Sequence, residues 1–163
     1  MIVYGRGKYA RTEGEAEGLI DDIINNLAQR VIDPSGYETV PERAVLCIVG
    51  DDYPERTNNR HANNCLYVSV NTQGEYGALK WWTNNVSDGA PKDDVSRFVW
   101  TSGSPNPPAA DPGLISDPGT PSYYPRKAAI PIKQVREAVE EFCRARTGAR
   151  PECVSWLLLE QSV

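Results

Sequence analysis

Cys65-Leu66-Tyr67-Val68-Ser69-Val70-Asn71 alternates apolar and polar residues and is rich in β-formers. Thr72-Gln73-Gly74-Glu75 follows, and Tyr76-Gly77-Ala78-Leu79-Lys80-Trp81-Trp82-Thr83 alternates again. Two such runs joined by four residues containing a glycine predict an antiparallel hairpin. Successive strand side chains point to opposite faces, so Leu79 and Trp81 share one face while Tyr76, Lys80 and Trp82 share the other. In a sheet with one buried face, the two tryptophans cannot be equally covered. One belongs to the core and its neighbour lies near a surface or under a second layer.

Upstream, Ala44 to Gly50 is a continuous apolar run of strand length, stopped by Asp51-Asp52-Tyr53-Pro54, and the stretch to Asn64 reads as a loop. Earlier still, Thr12-Glu13-Gly14-Glu15 has the spacing of a capping box. Ala16, Leu19, Ile20, Ile23, Ile24 and Leu27 then recur at helical intervals, predicting an amphipathic helix over 13–30 that ends at Asp33-Pro34-Ser35-Gly36.

Downstream, Val95 to Thr101 is a further strand candidate. Residues 103–121 hold six Pro and three Gly without periodicity, a composition that sustains neither a helix nor a central strand and predicts a surface excursion. Pro131 stands at a helix start, and Ile132, Val135, Val139, Phe142 and Cys143 form a stripe closed by Arg144, Arg146 and the stop signal Gly148. Cys153 to Leu159 then reads as a final buried strand. This order of elements predicts one α+β domain over 1–163, an antiparallel sheet with two main helices packed on it in two layers.

The chain has 163 residues, with 17 Lys plus Arg against 22 Asp plus Glu. Its net charge of −5 lacks the cationic footprint of direct nucleic-acid binding. No apolar stretch approaches the ~20 residues of a spanning helix, and no signal peptide is evident, so a cytoplasmic protein is expected. The charge is unevenly placed. Residues 13–94 hold fifteen acids and six bases, a net of −9, whereas 126–150 hold seven bases and three acids, a net of +4.

Chemistry is sparse. His61 is the only histidine, and the four cysteines, Cys47, Cys65, Cys143 and Cys153, lack the short spacing of a zinc site. A Cys65–His61 nucleophile pair would straddle a loop-to-strand transition. No phosphate-binding glycine loop, dinucleotide fingerprint or deaminase zinc signature occurs. The residues therefore imply no metal, no cofactor and no enzyme. By contrast, the acidic loops Asp51 to Glu55 and Asp88 to Asp94, with Tyr53 and nearby Trp82, combine aromatic anchors with negative charge. That combination suits a cationic protein surface.

Val68-x-Val70-Asn71 followed by Gly74-x-Tyr76-Gly77-Ala78-Leu79-x-Trp81 resembles the central hairpin of a bacterial immunity-protein family of polymorphic toxin systems. Ile130-Pro131, Val135-Arg136-Glu137-Ala138-Val139-x-x-Phe142, Thr147-Gly148-x-Arg150-Pro151 and Val154-x-Trp156 continue the resemblance in order. The Pro-rich loop is longer than the family pattern, and the Trp81-Trp82 doublet is not part of it. The resemblance implies a non-catalytic cytoplasmic binder of a cognate toxin, often a nucleic-acid deaminase. Gly77, Leu79, Trp81, Pro131, Phe142, Gly148, Pro151 and Trp156 would then be mainly structural. Asp51, Asp52, Tyr53, Glu55, Trp82, Asp88, Asp93 and Asp94 are the expected toxin contacts. A small hydrolase using carboxylates and His61, or an acidic adaptor unrelated to toxins, remain the other readings.

Overall fold

In the computed structural model the central hairpin pairs Asn71 with Tyr76 and Asn64 with Thr83, in unbroken register between. The structure describes residues 2–4, 8–29, 31–32, 34–50 and 62–159. In chain order the elements are β1 (Ile2–Tyr4), β2 (Lys8–Ala10), α1 (Glu13–Asn25), β3 (Val31–Ile32), β4 (Glu38–Thr39), β5 (Ala44–Ile48), β6 (Asn64–Asn71) and β7 (Tyr76–Thr83). There follow β8 (Trp100–Ser102), β9 (Ile115–Asp117), β10 (Ser122–Tyr123), β11 (Ile130–Pro131), α2 (Ile132–Ala145) and β12 (Trp156–Leu158). The main sheet runs β12-β8-β7-β6-β5-β1-β2, all antiparallel, with β11 also pairing β7. The α+β expectation holds: two helices pack on an antiparallel sheet.

Alternation assigns the faces. Leu46, Leu66, Val68, Val70, Leu79 and Trp81 are buried against Leu19, Ile20, Ile23 and Ile24 of α1 and Val135, Val139 and Phe142 of α2. Trp81 is 2% exposed, while Trp82 is half-buried on the opposite face, so the doublet divides between core and surface. Gly77 allows α2 to approach β7: a Cβ there would lie 2.6 Å from the Ser69 carbonyl oxygen and 2.8 Å from Val135 Cγ2. At the hairpin turn the left-handed residue is Glu75 (φ +56°), and the Asn71 side chain accepts the Gly74 N–H at 2.9 Å.

The capping box at α1 forms as its sequence predicts. Thr12 Oγ1 accepts the Glu15 N–H at 3.2 Å, and the Glu15 carboxylate accepts the N–H groups of Thr12 at 3.0 Å and Arg11 at 2.7 Å. The helix itself stops at Asn25, five residues before the expected end. Asn25 and Asn26 are poor helix formers, and the Ala28 N–H is taken by the Glu42 carboxylate at 3.0 Å while the Ala28 carbonyl accepts from Glu42. Leu27 is still buried, which explains why the apolar period reads on.

Other boundaries also differ from expectation. Val95–Arg97 is a 3-10 turn, and of the predicted strand only Trp100 and Thr101 join the sheet, in β8. The last strand is not buried: β12 is an edge with one neighbour, and Leu158 is 51% exposed. Pro131 stands one residue outside α2, and the helix is capped at its end by left-handed Arg146 (φ +53°), with Gly148, also left-handed (φ +74°), two residues further on. Strands β1 and β2, too short to show periodicity, precede α1 unpredicted.

The Pro-rich excursion is more than surface. Residues 115–117 and 122–123 form a separate two-stranded ribbon. Leu114 packs with Tyr124, Ala128, Ala129 and Ala78 on the sheet face opposite the helices. Asn71 Nδ2 donates to the Pro112 carbonyl at 2.8 Å, and Ser102 Oγ donates to the Ala128 carbonyl at 2.7 Å. The excursion thus covers part of the second face, fixed by side-chain bonds to main chain.

Candidate functional site

Trp82 and the segment 84–94 lie at one end of the sheet. The chain leaves β5 at Ile48 and re-enters β6 at Asn64, whose partner Thr83 is the last residue of β7. Asn64 is buried there, its amide spanning the ladder: Nδ2 donates to the Ile48 carbonyl at 2.8 Å, and Oδ1 accepts the Ile48 N–H at 2.9 Å. The Asn63 carbonyl accepts from the Asn84 N–H at 2.6 Å and from Thr83 Oγ1 at 2.8 Å. The segment 84–94 therefore leaves from the same end as the connection between β5 and β6.

Segment 84–94 is held by its own bonds. Arg97 donates to the carbonyls of Pro91 and Ala90, each at 2.8 Å. Asp94 accepts from the Ser96 N–H at 2.8 Å and the Ser96 hydroxyl at 2.5 Å, and these two donors hold its carboxyl below the usual range. Trp100 Nε1 donates to the Val95 carbonyl at 2.9 Å. Of the expected contacts, Asp88 and Asp93 are exposed, whereas the Asp94 carboxylate is engaged in capping the turn. Asp51, Asp52, Tyr53 and Glu55 lie outside the described residues, as does His61.

Beside that end lies a half-buried part of the second face, where Arg43 Nη1 donates to the Ser116 carbonyl of the excursion. Trp82 Nε1 donates to the Tyr67 hydroxyl at 3.2 Å. The Arg43 guanidinium carbon lies 4.4 Å from the Tyr67 ring centroid and the Lys80 ammonium 4.7 Å from it, distances at which the ring quadrupole attracts a cation. Burial lowers the Lys80 pKa and raises that of Tyr67. Among the described residues neither cation forms an ion pair; the nearby Asp117 carboxylate accepts from the Gly119 N–H at 3.0 Å and the Thr120 hydroxyl at 3.0 Å, and these bonds hold its pKa down.

Sequence reasoning singled out Trp82 but missed Arg43 and Tyr67 beside it. The signal was present: a four-residue turn in register sets Tyr67 opposite Lys80, and alternation carries Arg43 to the same face. On the helix side, a groove of about 380 Å³ between α1 and α2 is lined by charges of both signs, among them Glu13, Glu17, Arg136 and Glu140. Arg136 bridges Asp21 of α1 at 2.7 Å there.

Among the family-pattern residues, Pro131 is exposed. Phe142, Leu79 and Pro151 are buried, and Trp156 is half-buried with its indole donating to the Pro151 carbonyl at 2.7 Å. Arg150 lies over the rings of both Trp100 and Trp156, at 4.4 and 5.7 Å. No group of three or more metal-capable His, Cys, Asp or Glu side chains occurs among the described residues. Among the same residues, no helix is long and apolar enough to cross a membrane.

Comparison with the curated proteins and with the solved structures returned no match. A family model described as "Immunity protein Imm1" matches residues 5–158. That span runs from before α1 to the end of β12 and takes in both helices and the central hairpin: the chain belongs to the Imm1 family of immunity proteins.

Proposed function

We propose that this protein neutralises a cognate toxin domain in the cytoplasm of the bacterium that produces both, by binding alone and without catalysis or cofactor. The partner is a basic, nucleic-acid-acting toxin such as a deaminase, and the contact covers its active site or substrate groove. Trp82 supplies the aromatic anchor. Asp88, Asp93 and Asp94, with Asp51, Asp52, Tyr53 and Glu55 of the preceding connection, supply the negative field. The protein itself engages neither nucleic acid nor membrane.

Beyond family membership, one observation carries this reading: Trp82 lies half-buried on the sheet face opposite α1 and α2, at the end where the acidic segment 84–94 departs. A large aromatic surrounded by polar groups is the usual make-up of a binding hot spot. Carboxylates around it steer a basic partner and act as phosphate surrogates.

The test is co-expression with a toxin domain encoded directly upstream. Growth should be rescued, and the two chains should co-purify. Equal killing with and without this protein would remove the proposal.

A further inference from the structure

Toxin binding gives no role to two buried thiols on the sheet face opposite α1 and α2. Cys47 and Cys65 follow the paired residues Leu46 and Leu66 by one position in opposite directions, so they stand directly across β5 and β6 from each other. Their sulfur atoms are 3.2 Å apart. Cα atoms of directly opposed antiparallel residues are ~4.5–5.5 Å apart, within the span a disulfide accepts. Closing the bond requires the sulfurs to approach by roughly 1 Å, a movement of side chains and not of strands.

We propose that Cys47 and Cys65 form a peroxide-reactive dithiol that closes as a cross-strand disulfide, joining the two strand ends that bracket residues 49–63. The surroundings favour one sulfur as nucleophile. The contact with the Cys47 sulfur holds Cys65 below the ordinary thiol range, against the effect of burial, and the Tyr67 hydroxyl and Arg43 guanidinium act in the same direction. The same contact, with burial, pushes Cys47 up. Only 7–8% of either residue is exposed, which favours a small oxidant such as hydrogen peroxide over a bulky disulfide.

The chemistry balances. The Cys65 thiolate attacks one oxygen of hydrogen peroxide; the O–O bond breaks, and hydroxide leaves and takes up a proton as water. Cys65 is then a sulfenic acid. Cys47 loses its proton and attacks the Cys65 sulfur; the S–O bond breaks, and the departing hydroxide takes that proton as a second water. Two thiols are oxidised and one peroxide is reduced. The other two cysteines are less suited. Cys143 is buried and pushed up to about 11 by that burial, and Cys153, though exposed, is pushed up to about 12 by desolvation and the Glu141 carboxylate.

The test uses the full-length protein, fully reduced, then exposed to hydrogen peroxide and alkylated. The expected result is loss of two of the four free thiols, an intact mass before alkylation lower by two hydrogens, and a peptide map joining Cys47 to Cys65. Cys47→Ser should stop at a sulfenic acid on Cys65 that dimedone traps. Four alkylated thiols after peroxide, or oxidation of Cys153 ahead of the pair, would overturn the proposal. The wild-type map decides this even if a serine variant fails to fold, and it does so whatever the outcome with a toxin.

Discussion

The indole N–H of Trp81 donates to the carbonyl of Gly148 at 3.0 Å, latching the turn after α2 to the central strand of the sheet. Gly148 is left-handed (φ +74°), and a Cβ on it would lie 2.4 Å from Asn64 Cγ. Asn64 cannot yield, because its amide holds both polar groups of Ile48. Three residues far apart in sequence therefore form one joint.

Gly148→Ala meets both backbone strain and this clash, and should destabilise the protein by at least about 2 kcal/mol. Trp81→Phe leaves a buried carbonyl without its donor and should cost about 2 kcal/mol. Urea midpoints check both values. In the double variant the losses should fall short of additive, because the two changes damage one contact.

Glycines elsewhere behave oppositely. Gly77→Ala would drive a methyl into the Ser69 carbonyl and Val135, at a cost of about 3 kcal/mol. Gly18 is exposed within α1, with nothing within 4 Å of an added Cβ. Gly18→Ala should stabilise the protein by about 1 kcal/mol. Thermal melts of the two variants should move in opposite directions.

The capping box should give α1 a pH dependence. The N–H groups of Arg11 and Thr12 hold the Glu15 carboxyl below the usual range. A depressed native pKa means the unfolded state binds the proton more readily. The stabilisation is complete above the ordinary glutamate pKa of about 4.3 and is lost as pH falls through the lower native value. The stability gap between wild type and Glu15→Gln should accordingly close on acidification.

For the proposed interface, Trp82→Ala should weaken toxin binding by about 30-fold or more, a loss of about 2 kcal/mol, while the core stays folded. Reversing Asp88 and Asp93 to Lys should slow association by about tenfold or more at low salt, and the difference should shrink at high salt. Stopped-flow association rates against ionic strength measure this. An unchanged rate would move the contact surface elsewhere.

Hairpin, capping box and α2 stripe were legible because each is a local pattern. Residues 65–83 carry both strands and their turn, and Thr12 to Glu15 lie within one helical turn. Misread boundaries depended on distant partners. The end of α1 is set by Glu42 capturing Ala28, and the exposure of β12 by its place at the sheet edge. The excursion at 103–121 shows no period, since Leu114 reaches its partners one residue at a time and Asn71 and Ser102 supply the ties. Trp82 stood out in the sequence as one half of a doublet, whereas Arg43 and Tyr67 became neighbours only when β5 and β6 paired.

Asn64 lends a different meaning to the end of the sheet. Because its amide completes the last rung of β5 with a side chain, the main chain after Ile48 is not required to close the ladder. Loop closure entropy grows only slowly with length. The connection between these strands can thus gain, lose or exchange residues without unzipping the core. Under the proposed function, a fold built this way is refitted to a new toxin by changing one segment, while the scaffold and its buried joint stay as they are.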